Sequence, residues 1–143
     1  MHYSLEPEVA GELGEHTVLD TSVHPPLVSN LHYQLSDWLG DDILESFPCY
    51  IATKSLKVLL EQLGGSGCEF GDVEVTTSEE FEELHAQLII PDFYWLKVTG
   101  AAGIDDFGIS KDFQLVVSDQ VLSLLKAHAV LNNCDIEPYE FDE

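Results

Sequence analysis

The chain has 143 residues, with 27 Asp plus Glu against 5 Lys plus Arg and a formal charge of -22. It lacks the basic clusters that neutralise nucleic acid or anionic lipid, so its field repels polyanions and attracts cations and basic proteins. A content of 45% hydrophobic and 10% aromatic residues excludes an acidic disordered chain and suits one folded domain.

Residues 1 to 26 hold turn formers and acids: Glu6-Pro7-Glu8, Gly11, Gly14 and Pro25-Pro26. Strand fragments are expected at Tyr3 to Leu5 and Thr17 to Leu19. Leu27, Leu31 and Leu35 fall at i, i+4 and i+8, which predicts a short helix over 27–36. Asp41 to Ser46 opens with acids and precedes Pro48, which predicts another helical turn. Cys49 to Ala52 reads as a strand. Thr53 is placed to cap a helix carrying Leu56, Leu59, Leu60 and Leu63, with Gly64-Gly65 as its exit. Cys68 to Val75 alternates as a strand. Thr77 and Glu80 have capping-box spacing before a stripe of Phe81, Leu84 and Leu88. Phe93 to Val98 is the strongest strand signal, aromatic and ended by Gly100. Gly100 to Gly108 reads as a loop.

Phe113 to Val117 then returns the earlier order. Ser118 follows as a cap, Val121, Leu122, Leu124 and Leu125 form a helix face, Asn132-Asn133 ends the helix, and 134–141 is extended. Thr53 aligns with Ser118 and Leu59-Leu60 with Leu124-Leu125. After one inserted residue, Cys68-Glu69-Phe70 aligns with Cys134-Asp135-Ile136. Two strand–helix–strand units are expected, at 48–75 and 112–141. They are either a duplication or two units alike because all such units are alike.

No segment approaches the roughly 18 apolar residues of a membrane span, and Met1 to Glu6 lacks the basic start and apolar stretch of a signal peptide. Cys49, Cys68 and Cys134 show no CxxC spacing, which fits reduced thiols in a cytoplasmic protein. P-loop, GxSxG, HExxH and EF-hand patterns are missing. His16, His24 and His32 are spaced by eight, but no neighbouring carboxylate or Cys completes a ligand set, so no metal and no cofactor are expected.

The acid clusters are the candidates for partner contact. Asp41, Asp42 and Glu45 lie near Trp38. Glu79, Glu80, Glu82 and Glu83 share one helix, where the plain alternative is a solvated face with acids favouring the helix dipole. Asp105 and Asp106, beside Phe107 in a Gly-bounded loop, suit an interface anchor with an acidic rim.

The run Asp41-Asp42-Ile43-Leu44-Glu45-Ser46-Phe47-Pro48, an apolar strand, then Thr53-Lys54-Ser55-Leu56 resembles small immunity proteins of bacterial polymorphic toxin systems, of the type VI or contact-dependent kind. So does the ending Leu115-Val116-Val117-Ser118-Asp119, a Leu-rich helix, then Cys134-Asp135-Ile136-Glu137-Pro138. The resemblance covers 41–75 and 112–141. It implies a non-enzymatic protein that neutralises a cognate toxin by stoichiometric binding, occluding a basic cleft. Paired CxxC motifs of some relatives are missing here, so no metal carries over. The expectation is a single α+β domain, a mixed sheet packed by helices over 53–63, 78–88 and 118–130. The alternative function is an acidic mimic of nucleic acid that inhibits a DNA- or RNA-binding protein. A third is an enzyme, which requires a pocket holding carboxylates with raised pKa values.

Overall fold

The computed structural model describes residues 1–140. It is one α+β domain with three helices, as expected, but its strands divide among several sheets instead of one mixed sheet. In chain order come β1 (His2–Glu6), β2 (Gly11–Leu13), β3 (Val18–Asp20), β4 (Leu27–Asn30), β5 (His32–Leu35), β6 (Ile43–Ser46) and β7 (Cys49–Thr53). Then follow α1 (Lys54–Leu63), β8 (Cys68–Gly71), β9 (Glu74–Thr77), α2 (Glu79–Leu84) and β10 (Phe93–Val98). The chain continues through β11 (Phe107–Ile109), β12 (Leu115–Ser118), α3 (Asp119–His128) and β13 (Asp135–Tyr139).

The two four-stranded sheets can be matched register for register. One four-stranded sheet runs β6-β7-β10-β8 and the other β11-β12-β1-β13, all antiparallel. In the first, Leu96 of the inner strand lies opposite Tyr50 on one side and Phe70 on the other. In the second, Leu5 lies opposite Leu115 and Ile136. Matching these ladders makes Thr53 equivalent to Ser118 and Phe70 to Ile136, as the sequence alignment requires. The second inner strand comes from the N-terminus, so the two halves are related with their strand order permuted. Both halves feed one core, in which Ile43, Ala52, Leu56 and Leu60 have counterparts in Phe107, Val117, Val121 and Leu125.

The caps repeat too. Thr53 accepts the Leu56 N–H and Ser118 accepts the Val121 N–H. Each hydroxyl in turn donates to an acid just before the preceding strand: Thr53 to Asp42 at 2.7 Å, Ser118 to Asp106 at 2.6 Å. The cap's own N–H donates to the same acid's carbonyl, at 3.0 Å and 2.9 Å. The second carboxylate oxygen of each acid then receives an N–H from the other half. Val130, after α3, donates to Asp42 at 2.7 Å, and Ser66, after α1, donates to Asp106 at 3.0 Å. Gly64 lets α1 turn into this loop, its φ of 70° being left-handed.

A second core lies on the far face of the first sheet. Leu44, Cys49, Ile51 and Phe93 there pack against Leu31, Tyr33, Leu35 and Phe81. The covering layer is a three-stranded sheet, β2-β5-β9, in which β5 and β9 run parallel, and α2.

Several expectations fail for identifiable reasons. Residues 27–36 form β4 and β5, not a helix. An even interval also fits one face of an extended chain, as with Leu31 and Leu35, which are both buried, while Leu27 on β4 is exposed. The 41–46 segment becomes β6, and its leading acids accept N–H groups from other segments instead of opening a helix. The 68–75 strand breaks at Asp72-Val73 into β8 and β9, which enter different sheets. Helix α2 stops at Leu84: His85 leaves the helical conformation, with φ of -135°, and its Nε2 lies 2.6 Å from Asp37. Only Phe81 of its expected stripe is buried; Leu84 and Leu88 are exposed. Its cap is Ser78, not Thr77, whose hydroxyl donates to Glu82. Helix α3 ends at His128, before Asn132-Asn133. The Phe141 end of the 112–141 unit lies outside the described residues.

Thr53→Ala and Ser118→Ala are each expected to lower the unfolding free energy by about 1–2 kcal/mol in urea denaturation, the usual cost of losing a cap. The Ser118 hydroxyl and then the Ser66 N–H hold the Asp106 carboxyl below its ordinary range. That contribution is present above about pH 3.9, the unfolded value, and is lost as pH falls through the depressed folded value. Asp106→Asn should therefore flatten the acid limb of the stability curve. An unchanged acid limb would remove Asp106 from the clamp.

Candidate functional site

The expected contact residues separate into two groups. Asp41 and Phe107 are fully enclosed, at 0% and 1% exposure, so neither meets a partner. Asp41 accepts N–H groups from Asn132 at 3.1 Å and Asn133 at 2.8 Å, and the Asn133 side-chain amide at 3.1 Å. Asp42 and Asp106 are the clamp acids. The Asp105 carboxylate accepts the Ala101 N–H at 2.8 Å and closes its own loop. Trp38 donates its indole N–H to the Asp41 carbonyl at 3.0 Å and sets its ring edge-on to Phe93 at 5.7 Å. The interface anchor expected around Asp105, Asp106 and Phe107 is thus part of the scaffold. The signal for this was in the sequence: Asp41-Asp42-Ile43 and Asp105-Asp106-Phe107 are the same motif at the same place in the two halves.

Glu45, Glu79, Glu80 and Glu83 keep their side chains available. The three α2 glutamates are exposed, and Leu84, Leu88 and Ile89 beyond them are 64%, 43% and 90% exposed. Glu45 lies in an open cleft of about 560 Å³, whose acidic lining is Glu6, Glu8, Glu45, Asp112 and Asp135 and whose apolar walls include Leu39, Phe47 and Phe113. Burial, and then the charge of Glu6, push the Glu45 carboxyl above its ordinary range. Burial also raises Glu8, although N–H groups of Leu39 and Asp41 partly offset this. Both Glu8 oxygens are engaged by these amides, at 2.8 Å and 3.3 Å, so Glu8 supports the wall of the cleft and Glu45 faces its space.

Sequence spacing leaves His16 and His32 without a carboxylate, but the fold supplies Glu74. The three offer ligand atoms within 4.8 Å of one another. His24 is elsewhere, set edge-on to Phe113 at 5.1 Å. No helix among the described residues is long and apolar enough to cross a membrane.

Cys68 and Cys134 are free and half-buried, and both pack against the shared core; Cys49 is buried. Cys68 begins β8 and Cys134 immediately precedes β13, the matching positions expected of them, although they are less enclosed than expected. Burial pushes the thiols up to about 12 for Cys49, about 11 for Cys68 and about 12 for Cys134. Such thiols hold little thiolate and are poor nucleophiles.

No family model, no curated protein and no solved structure matches this chain.

Two outcomes are expected from these environments. Iodoacetamide should modify the folded thiols at least about tenfold more slowly than the urea-unfolded chain, since thiolate content governs the rate; equal rates would place a thiol in a reactive site. Glu45→Gln should leave stability at pH 7 unchanged or raise it. A carboxyl raised in the folded state favours folding below its unfolded value, and that advantage is lost as pH rises through the folded value. A loss of stability at pH 7 would show that Glu45 has a structural role.

Proposed function

We propose that this chain is an immunity-type inhibitor that neutralises a toxin domain by stoichiometric binding, with its acidic surface seated on a basic cleft of the partner. What supports this reading is how the acids are used. Among the described residues a single lysine–carboxylate pair occurs, Lys57 with Glu61 at 2.9 Å. The enclosed acids are satisfied by N–H and hydroxyl donors, not by cations. The charge of -22 is therefore left almost uncompensated at the surface. A protein that repels itself in this way loses stability unless something cationic is bound.

Two surfaces suit such a partner. The α2 segment combines Glu79, Glu80 and Glu83 with exposed Leu84, Leu88 and Ile89, an acidic rim beside apolar area. The Glu45 cleft has apolar walls for the stem of a Lys or Arg and carboxylates for its head. The same cleft is where a carboxylate enzyme would work, but Glu8 is already engaged and Glu45 has no second free acid raised beside it in the same way.

The test is co-expression with the product of the neighbouring gene, followed by measurement of the complex. Rescue of growth with a one-to-one complex is expected, with an association rate that falls steeply as salt shortens the Debye length to about 8 Å. Glu79→Lys with Glu80→Lys and Glu83→Lys should slow association, and Glu45→Gln should speed dissociation. A salt-independent association rate, or toxicity that persists despite a formed complex, would overturn the reading.

A further inference from the structure

We propose that His16, His32 and Glu74 form a binding site for a divalent transition-metal cation of the zinc class. The three come from separate segments: the loop after β2, strand β5 and strand β9. His32 and Glu74 are register partners across the parallel β5–β9 ladder, so backbone pairing sets their spacing. His16 is carried over them by a loop fixed at both ends. Gly14 donates its N–H to the His32 carbonyl at 2.7 Å, and Thr17 donates its hydroxyl to the same carbonyl at 2.9 Å. A Cβ on Gly14 would stand 2.2 Å from the His32 ring, so only glycine allows the loop to close this tightly.

The chemistry of the set fits a borderline cation. His32 is 3% exposed and is the anchored member. Its Nδ1 accepts the His16 N–H at 3.2 Å, which assigns the ring proton to Nε2, 2.7 Å from the Thr76 hydroxyl. A ring held by its second nitrogen in this way is the usual support of a metal-ligating histidine. The His16 ring stacks on it at 4.9 Å and places Nδ1 at 3.0 and 3.1 Å from the two Glu74 oxygens. His16 and Glu74 are both exposed, so they can close on a cation while His32 stays in place. The ligand atoms lie within 4.8 Å of one another, against roughly 3.3 Å between ligands of a tetrahedral zinc. Rotation of the His16 ring, with release of its amide from His32, would take up the difference. Two imidazoles and a carboxylate favour zinc over magnesium or calcium, which prefer oxygen ligands. Glu15, 3.7 Å from His16 Nε2, adds negative charge beside the set. Occupancy would fasten the 14–17 loop to the β5–β9 edge.

The test is calorimetric titration of the chelator-treated full chain with Zn²⁺, with thermal melts alongside. One-to-one binding with a raised Tm is expected, and no comparable rise with Mg²⁺. His16→Ala and Glu74→Gln, both at exposed positions, should each weaken Zn²⁺ binding at least about tenfold, on the scale seen when metal-site residues are lost. His24→Ala should leave it unchanged. Failure of the wild-type chain to bind Zn²⁺, or equal binding by the His16 and Glu74 variants, would overturn the site and leave His16–Glu74 as a surface charge pair.

Discussion

The pairing of a carboxylate with a helix-capping hydroxyl is what the rest of this structure hangs on. In each half an Asp before the edge strand reaches the Thr or Ser that starts the helix, and its free oxygen reaches the loop leaving the opposite helix. One side chain thus satisfies a hydroxyl and two helix-end problems together. It orders the cap, fixes the strand ahead of it and ties the exit of one helix to the entry of the other. Since the exchange is reciprocal, neither half closes its loops without the other. The core between them, filled from both sheets and both long helices, is the packing counterpart of the same exchange.

This use of acids changes the meaning of the composition. Buried carboxylates are usually held by cations, because moving a charge out of water is expensive. With five lysines and no arginine, this chain meets that cost with N–H and hydroxyl donors instead. Three N–H donors occupy both oxygens of Asp41 in place of a cation. Most of the other acids, Glu79, Glu80 and Glu83 among them, are exposed. The charge is therefore divided into a part that fastens the fold and a solvated part that sets the field.

Local signals were legible and pairings were not. Thr53 and Ser118 read as caps because hydroxyl placement ahead of a leucine stripe has one physical meaning, and both cap in the structure. Phe93 to Val98 read as a strand for the same kind of reason. That His2 to Glu6 would become the inner strand of the second sheet was invisible, since no local pattern specifies a partner more than a hundred residues away. Leu27, Leu31 and Leu35 misled because their spacing serves two periodicities. Asp41, Asp42, Asp105 and Asp106 misled because isolated acids are read as exposed; carrying the repeat one element upstream would have shown them to be a shared motif. The cleft that Glu45 lines was not legible either, since it depends on segments from both ends of the chain.

The two halves differ most where the candidate sites lie. In the first sheet the face away from the shared core carries Leu44, Ile51 and Phe93, and supports a second apolar layer. By register the matching residues of the second sheet are Gly108, Val116 and His2, which offer too little apolar surface to hold one. The layer that only the first half carries contains β5, β9 and α2. It therefore holds the His16–His32–Glu74 cluster and the exposed glutamates of α2. The matching registers of the two halves account for the shared core and the clamp, and they need none of these groups. They are the residues that the repeat does not account for, and their position on an added layer separates them from the residues that hold the fold. Substitution there tests function with the scaffold left intact, whereas substitution at Asp42 or Asp106 tests the scaffold itself.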